Sequence, residues 1–105
     1  MVESHRKILV RIEAEVADLV PRFLANMRLA IERGYRALDA RDFEQLRIIG
    51  HDAKGTGGGY GFDAITTIGA ELESSARDED VEAIRRSLDE LGAYLSNVQI
   101  EIDRQ

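Results

Sequence analysis

The sequence lacks the residues that several classes of functional site require. It contains no cysteine, which excludes disulfides, thiolate catalysis and Cys-ligated zinc. Its only histidines are His5, to which we assign no role, and His51, so a histidine-rich metal site is excluded. No apolar run approaches the roughly 20 residues of a membrane span, and no signal peptide opens the chain. We therefore expect a cytoplasmic protein with no metal or cofactor of its own.

The charge balance excludes further classes of ligand. The chain has 105 residues with 14 Lys plus Arg against 20 Asp plus Glu, a formal net charge of -6. Nucleic acids and anionic membranes select basic surfaces, so neither is an expected partner. Hydrophobic residues form 44% of the chain, which suffices for a packed core. The length fits a single domain over residues 1–105.

Hydrophobic spacing predicts an all-α fold, an antiparallel up-down four-helix bundle over residues 13–105. A short N-terminal arm over residues 1–12 precedes it, where alternating apolar residues allow either an extended segment or a frayed helix. The first helix carries an apolar stripe from Val16 to Leu38. Pro21 interrupts this stripe, and a proline is tolerated only in a first turn. We therefore expect the first helix to begin late or to bend there.

The remaining three helices have recognisable beginnings. Asp42 with Gln45 forms a capping box for the second helix, and Asp63 is the expected cap of the third. The turn at 77–80 precedes the fourth helix. Its apolar residues follow a 3-4 spacing, which is typical of a bundle seam. These seam residues are Val81, Ile84, Leu88, Leu91, Leu95, Val98 and Ile102.

The segment from Gly50 to Phe62 combines a histidine, a lysine and six glycines. On a helix, residues three, four and seven apart share one face. Leu46, Ile49 and Ala53 are expected to point inward, so His51 should point to solvent. The residues that follow His51 on its face are Lys54, Gly55 and Gly58. A face with so few side chains allows the backbone of another protein to approach the imidazole closely.

The pattern His-x-x-Lys-Gly-Thr-Gly at 51–57, followed by Tyr-Gly-Phe at 60–62, resembles the signature of the histidine-containing phosphotransfer (HPt) domain. The flanks at 37–46 and 68–73 also match that family, and Gly61 closes the motif. Two positions depart from it, because Gly50 and Ala53 stand where the family usually has Ala and Leu. Both departures predict thinner packing beneath the site.

The resemblance implies a phosphorelay intermediate. His51 would accept a phosphoryl group from the aspartate of a response-regulator receiver domain and pass it to another receiver. Lys54 would steady the phosphoryl oxygens, Gly55 and Gly58 would clear the approach, and Arg47 would add positive potential toward the receiver. A hybrid sensor histidine kinase is a further expected partner. Mg²⁺ would be held by the receiver, and this chain would be a phosphocarrier without a kinase site.

Three other interpretations of this segment compete with the phosphorelay. A P-loop needs Gly-Lys-Ser/Thr in that order, but Lys54 precedes Gly55, so nucleotide binding is excluded. No second titratable group is clearly paired with His51 in the sequence, which argues against a self-contained enzyme. A helical module that binds receivers or other proteins without being phosphorylated remains open.

Overall fold

The computed structural model describes residues 7–103, which are mostly helical, as predicted. Residues 1–6 of the predicted arm, with His5, lie outside the described residues. The elements are strand β1 (Ile8–Glu13), helices α1 (Ala14–Ala17), α2 (Val20–Asp39), α3 (Phe43–Gly57), α4 (Asp63–Arg77) and α5 (Val81–Asn97), and strand β2 (Val98–Asp103). A 3₁₀ turn, Gly58–Tyr60, joins α3 to α4. No helix within the described part of the chain is long and apolar enough to cross a membrane.

The two ends of the described chain form a small parallel sheet, which the sequence analysis did not predict. Ile8 lies opposite Val98, and Ile12 lies opposite Ile102. The prediction that Val98 and Ile102 continue the fourth helix is wrong, because α5 ends at Asn97. Apolar and polar residues alternate along β2, which lets one face of a strand pack inward. Of the two conformations considered for the arm, residues 8–12 adopt the extended one.

The first long helix begins late, as Pro21 predicts. The single-turn α1 ends at Ala17, and α2 starts at Val20 with Pro21 in its first turn. There the missing N–H of proline leaves no helical hydrogen bond broken. The helix then continues without interruption to Asp39, so the apolar stripe lies on one element.

Side-chain caps define the starts of α3 and α5. Asp42 accepts a hydrogen bond from the backbone N–H of Gln45 at 3.1 Å, as predicted. The N–H of Asp42 donates to Ala37 O at 2.8 Å, so this backbone bond replaces the second half of the capping box. Asp80 caps α5 by accepting from the N–H of Ala83 at 3.1 Å. The predicted cap Asp63 is instead the first helical residue of α4, without a capping hydrogen bond.

Helices α2 to α5 enclose the core. Helix α2 packs against α3 and α5, and α4 packs against α3 and α5. Most of the inward positions predicted on α3 and α5 are buried, with Leu46, Leu88 and Leu91 fully so, whereas Val81 at the start of α5 is only half-buried. Gly61 has a φ of 93° and ends the 3₁₀ turn in the left-handed conformation, as expected of a C-cap glycine.

The backbones of α3 and α4 touch at two glycines. A Cβ atom at Gly50 would lie 2.5 Å from the backbone nitrogen of Glu73, and one at Gly69 would lie 2.6 Å from that of Lys54. Neither contact leaves space for a methyl group. The expectation that Gly50 thins the packing is therefore wrong, because the backbone of α4 occupies the space that a side chain would fill.

Alanine substitutions at two glycines of α3 should have opposite effects on stability. Gly50→Ala forces α4 away and should lower the free energy of unfolding by about 1–3 kcal/mol, the usual cost of overpacking. Gly55→Ala should raise it by up to ~1 kcal/mol, because alanine is the better helix former and nothing lies within 4 Å of the added methyl group. Urea unfolding of the two variants measures both changes. Equal effects would contradict the close approach at Gly50.

Candidate functional site

The imidazole of His51 lies at the surface of α3. Its side chain is 61% exposed, whereas Ile49 and Ala53 on the opposite side of the helix are buried. The outward direction predicted from helical spacing is therefore the one observed. The ring is accessible to a second macromolecule.

A buried carboxylate lies directly beneath this ring. Glu73 on α4 has a side chain only 8% exposed, and its Oε2 lies 3.1 Å from Nδ1 of His51. Its Oε1 accepts from the Nζ of Lys54 at 2.9 Å, and the guanidinium of Arg77 donates to Oε2 at 3.3 Å. One carboxylate thus binds three donors from two helices. The expectation that no titratable group pairs with His51 is wrong.

The ionisation of Glu73 fixes the roles of the two ring nitrogens. The hydrogen bond from Lys54 lowers the pKa of the Glu73 carboxyl group, and the His51 hydrogen bond acts in the same direction against the effect of burial. An ionised carboxylate can only accept hydrogen bonds. Nδ1 of His51 therefore carries the proton, and in the neutral ring Nε2 holds the free lone pair.

Sequence reasoning did not identify Glu73 as part of the site, although the matching flank contained it. The sequence signal that could have identified Glu73 is its place as a charged residue on the buried stripe of a helix. Gly69, Leu72 and Ala76 are all buried on the same helix, α4. Charged side chains are rarely buried unless they are paired. Two of the three partners of Glu73, His51 and Lys54, lie on α3. Only the packing of α3 against α4 brings them into contact with Glu73.

The other predicted site residues occupy different surroundings. Lys54 is 42% exposed and contacts Glu73, so the structure brings it together with His51. Gly55 is exposed on α3 with no atom within 4 Å of an added Cβ. Gly58 lies beyond the end of α3, in the 3₁₀ turn. Arg47 is held on its own helix by Glu44, with N–O distances of 3.1 and 2.7 Å.

The residues of this site lie in a segment of the chain that matches a protein-family model. The family model described as the Hpt domain matches residues 18–101. The chain belongs to the HPt domain family. Searches of curated proteins and of solved structures gave no match. The matched range contains His51, Lys54 and Glu73, and membership in this family implies histidine-based phosphotransfer in phosphorelays.

His51 of this HPt domain does not lie in a cleft. A cavity of about 330 Å³ is present between α2 and α3, lined by residues that include Phe23, Met27, Ile49 and Thr56. His51 is not among its lining residues. The imidazole is instead presented on open surface, an arrangement suited to a macromolecular partner more than to a small substrate.

The paired carboxylate of Glu73 should make the stability of the domain sensitive to acid. Because folding lowers the pKa of Glu73, its stabilising effect is complete above the unfolded-state value, near pH 4.3 for an ordinary glutamate, and is lost as the pH falls through the folded-state value. The difference in unfolding free energy between the wild type and Glu73→Gln should therefore shrink from about pH 5 downward.

Urea unfolding at a series of pH values between about 5 and 2.5 measures this difference. The control is Glu71→Gln, which removes an exposed carboxylate from the same helix. A difference between wild type and Glu73→Gln that stays constant over this range would show that the ion pairs of Glu73 do not stabilise the folded state.

Proposed function

We propose that this HPt domain is a phosphotransfer intermediate that accepts a phosphoryl group on Nε2 of His51 from the aspartate of a receiver domain and passes it to another receiver. One observation carries the proposal. The exposed imidazole is hydrogen-bonded through Nδ1 to the buried Glu73 carboxylate, which leaves Nε2 as the nucleophilic nitrogen. Its position on an open helix face supports reaction with a group that a partner presents.

The transfer is balanced without any further reactant. The Nε2 lone pair forms the N–P bond while the O–P bond of the aspartyl phosphate breaks, and the aspartate leaves as a carboxylate. The Nδ1 proton stays on the ring, which gains positive charge as the N–P bond forms. Glu73, 3.1 Å from Nδ1, would stabilise that charge, since a fixed charge in a nearly buried site needs no reorganisation during the reaction. The reverse sequence loads the next receiver.

The residues around His51 suit the remaining requirements of phosphoryl transfer, which are positioning and charge neutralisation. Lys54 is held next to the ring by Glu73 and is partly exposed, so its ammonium group can turn toward the phosphoryl oxygens. Gly55 offers a surface without a side chain one turn beyond His51. We assign Gly58 the same role and Arg47 a secondary electrostatic role, since Glu44 compensates its charge.

The proposed partners are response-regulator receiver domains and a hybrid sensor histidine kinase in the cytoplasm. The receiver would supply both the aspartate and its Mg²⁺, so the chain would act as a phosphocarrier and not as a kinase. We infer that the four long helices form the antiparallel up-down bundle expected of the family. This arrangement would present the His51 face of α3 and α4 on one side of the domain.

His51→Gln should abolish phosphoryl acceptance because glutamine offers no nucleophilic nitrogen, while the helical circular dichroism should be unchanged. The measurement is transfer of radiolabelled phosphate from a phosphorylated receiver. His5→Gln, which alters the only other histidine, is the control and should be labelled like the wild type. Label on His51→Gln would refute the assignment.

The alternative is a helical module that binds receivers without being phosphorylated. The stability of the bond distinguishes the two functions, because a phosphoramidate on His51 is labile in acid and stable in base. A wild-type domain that binds a phosphorylated receiver but never acquires such a label would favour the alternative.

A large side chain at Gly55 should block transfer by preventing the receiver from docking. Gly55→Gln should reduce the rate of phosphoryl acceptance by at least tenfold, about 1.4 kcal/mol of lost transition-state stabilisation. The matched control is Gly92→Gln on α5, because Gly92 likewise has no atom within 4 Å of an added Cβ. Circular dichroism verifies the fold of both variants. Transfer to Gly55→Gln at the rate of the Gly92→Gln control would show that Gly55 does not lie under the receiver.

A further inference from the structure

The cavity between α2 and α3 has no part in the proposed phosphoryl transfer. Its volume is about 330 Å³, which is within the range of sites that bind small ligands. Buried apolar side chains form its inner wall, contributed by Phe23 and Met27 from α2 and by Ile49 and Ala53 from α3. A small molecule in this cavity would therefore bury an apolar part between the two helices.

The size of the cavity depends on the small side chain of Ala53. This residue lines the cavity and is buried, and it stands where the HPt family usually has leucine. A leucine at this position would fill part of the space between the helices. Empty apolar space is costly, because the atoms that line it lose packing contacts. An apolar group bound there would restore contacts of that kind.

Polar and charged side chains surround the opening of the cavity. Arg22, Asn26 and Arg33 line it from α2, and all three are exposed. They follow one another by four and seven residues, so they lie along one side of that helix. Neither guanidinium forms an ion pair with another residue of the range 7–103. Both are thus available to a ligand at the opening.

The charges around the opening favour an anionic ligand. Asp52 on α3 is the one acidic residue that lines the cavity, and it forms no ion pair with either guanidinium. The lining residues therefore carry an excess of positive charge, in contrast to the net charge of -6 over the whole chain. A guanidinium binds a carboxylate through paired, charge-assisted hydrogen bonds.

We propose that this cavity is a binding site for a small amphipathic anion, an aromatic or aliphatic carboxylate. Its apolar part would lie between α2 and α3, and its charge would be held by Arg22 and Arg33. A neutral ligand of the same shape would gain the apolar contacts alone. The inference does not rest on the proposed function of His51, because binding requires neither the imidazole nor a receiver domain.

Naphthoate, an aromatic carboxylate, tests the site in a nuclear magnetic resonance titration of the unphosphorylated domain. It should shift the backbone signals of α2 and α3 around the cavity in a saturable way, with a Kd of about 1 mM or lower for a ligand of this size. Naphthamide, its neutral counterpart, should bind about threefold more weakly, the usual worth of an exposed ion pair. The rim variant, which combines Arg22→Gln and Arg33→Gln, should lose about the same factor for naphthoate and none for naphthamide.

Further variants separate the cavity from the rest of the surface. Ala53→Leu fills the cavity and should weaken naphthoate binding by about tenfold or more through lost apolar contact, with unchanged helical circular dichroism. Ala30→Leu narrows the cavity from α2 and provides the same test if leucine at position 53 disturbs the fold. The α5 control, which combines Arg85→Gln and Arg86→Gln, removes two exposed charges elsewhere and should bind naphthoate like the wild type.

Each result decides one part of the proposal. A wild-type domain without saturable shifts around the cavity, or full naphthoate binding in both leucine variants, would overturn the site. Equal affinity for naphthoate and naphthamide, or an equal loss in the rim variant and the α5 control, would overturn the anionic class of ligand. Shifts at the cavity that appear with a receiver domain but not with naphthoate would show that a protein side chain occupies it. Phosphoryl acceptance is measured separately, so its failure would leave this site intact.

Discussion

The contact between the backbones of α3 and α4 at Gly50 and Gly69 is the constraint on which the site depends. A side chain at either position would lie within 3 Å of the opposite backbone, so only glycine allows this separation. At this distance, a carboxylate on α4 reaches both an imidazole and an ammonium group on α3. The geometry of the site is therefore set by two residues that take no part in its chemistry.

The electrostatics of the site follow from its single carboxylate. Glu73 is the only acidic side chain among the buried residues of the described chain, and a buried charge is tolerated when donors surround it. Its three donors meet that condition: they are the imidazole of His51 and the ammonium group of Lys54 on α3, and the guanidinium of Arg77 on α4. Orientation of the ring and ionisation of the carboxylate thus depend on each other, because the ion pairs that keep Glu73 charged also determine how strongly it holds Nδ1.

The helices could be predicted from signals between residues that are close in the sequence. The features that were not predicted depend on contacts between segments that are distant in the sequence. The cap at Asp42 and the late start at Pro21 depend on neighbouring residues, so both were predictable. The segment 98–102 fits a helical spacing and a strand alternation equally well, and only its pairing with residues 8–12 decides for the strand. Glu73 was overlooked for the same reason, since its partners on α3 are about 20 residues away in the sequence.

The glycines of α3 show most clearly what could not be predicted from the sequence. Gly50 and Gly57 face the backbone of α4, whereas Gly55 between them faces open space. The sequence alone does not distinguish the surroundings of these three glycines. Space for a side chain does not by itself mark a docking surface, because a Cβ at Gly92 on α5 would likewise have no atom within 4 Å. Gly55 differs in lying one turn from the exposed imidazole of His51, at a helical position where alanine would stabilise the fold by up to ~1 kcal/mol. No contact within the described chain explains a glycine there, whereas the proposed docking of a receiver domain next to His51 would account for it.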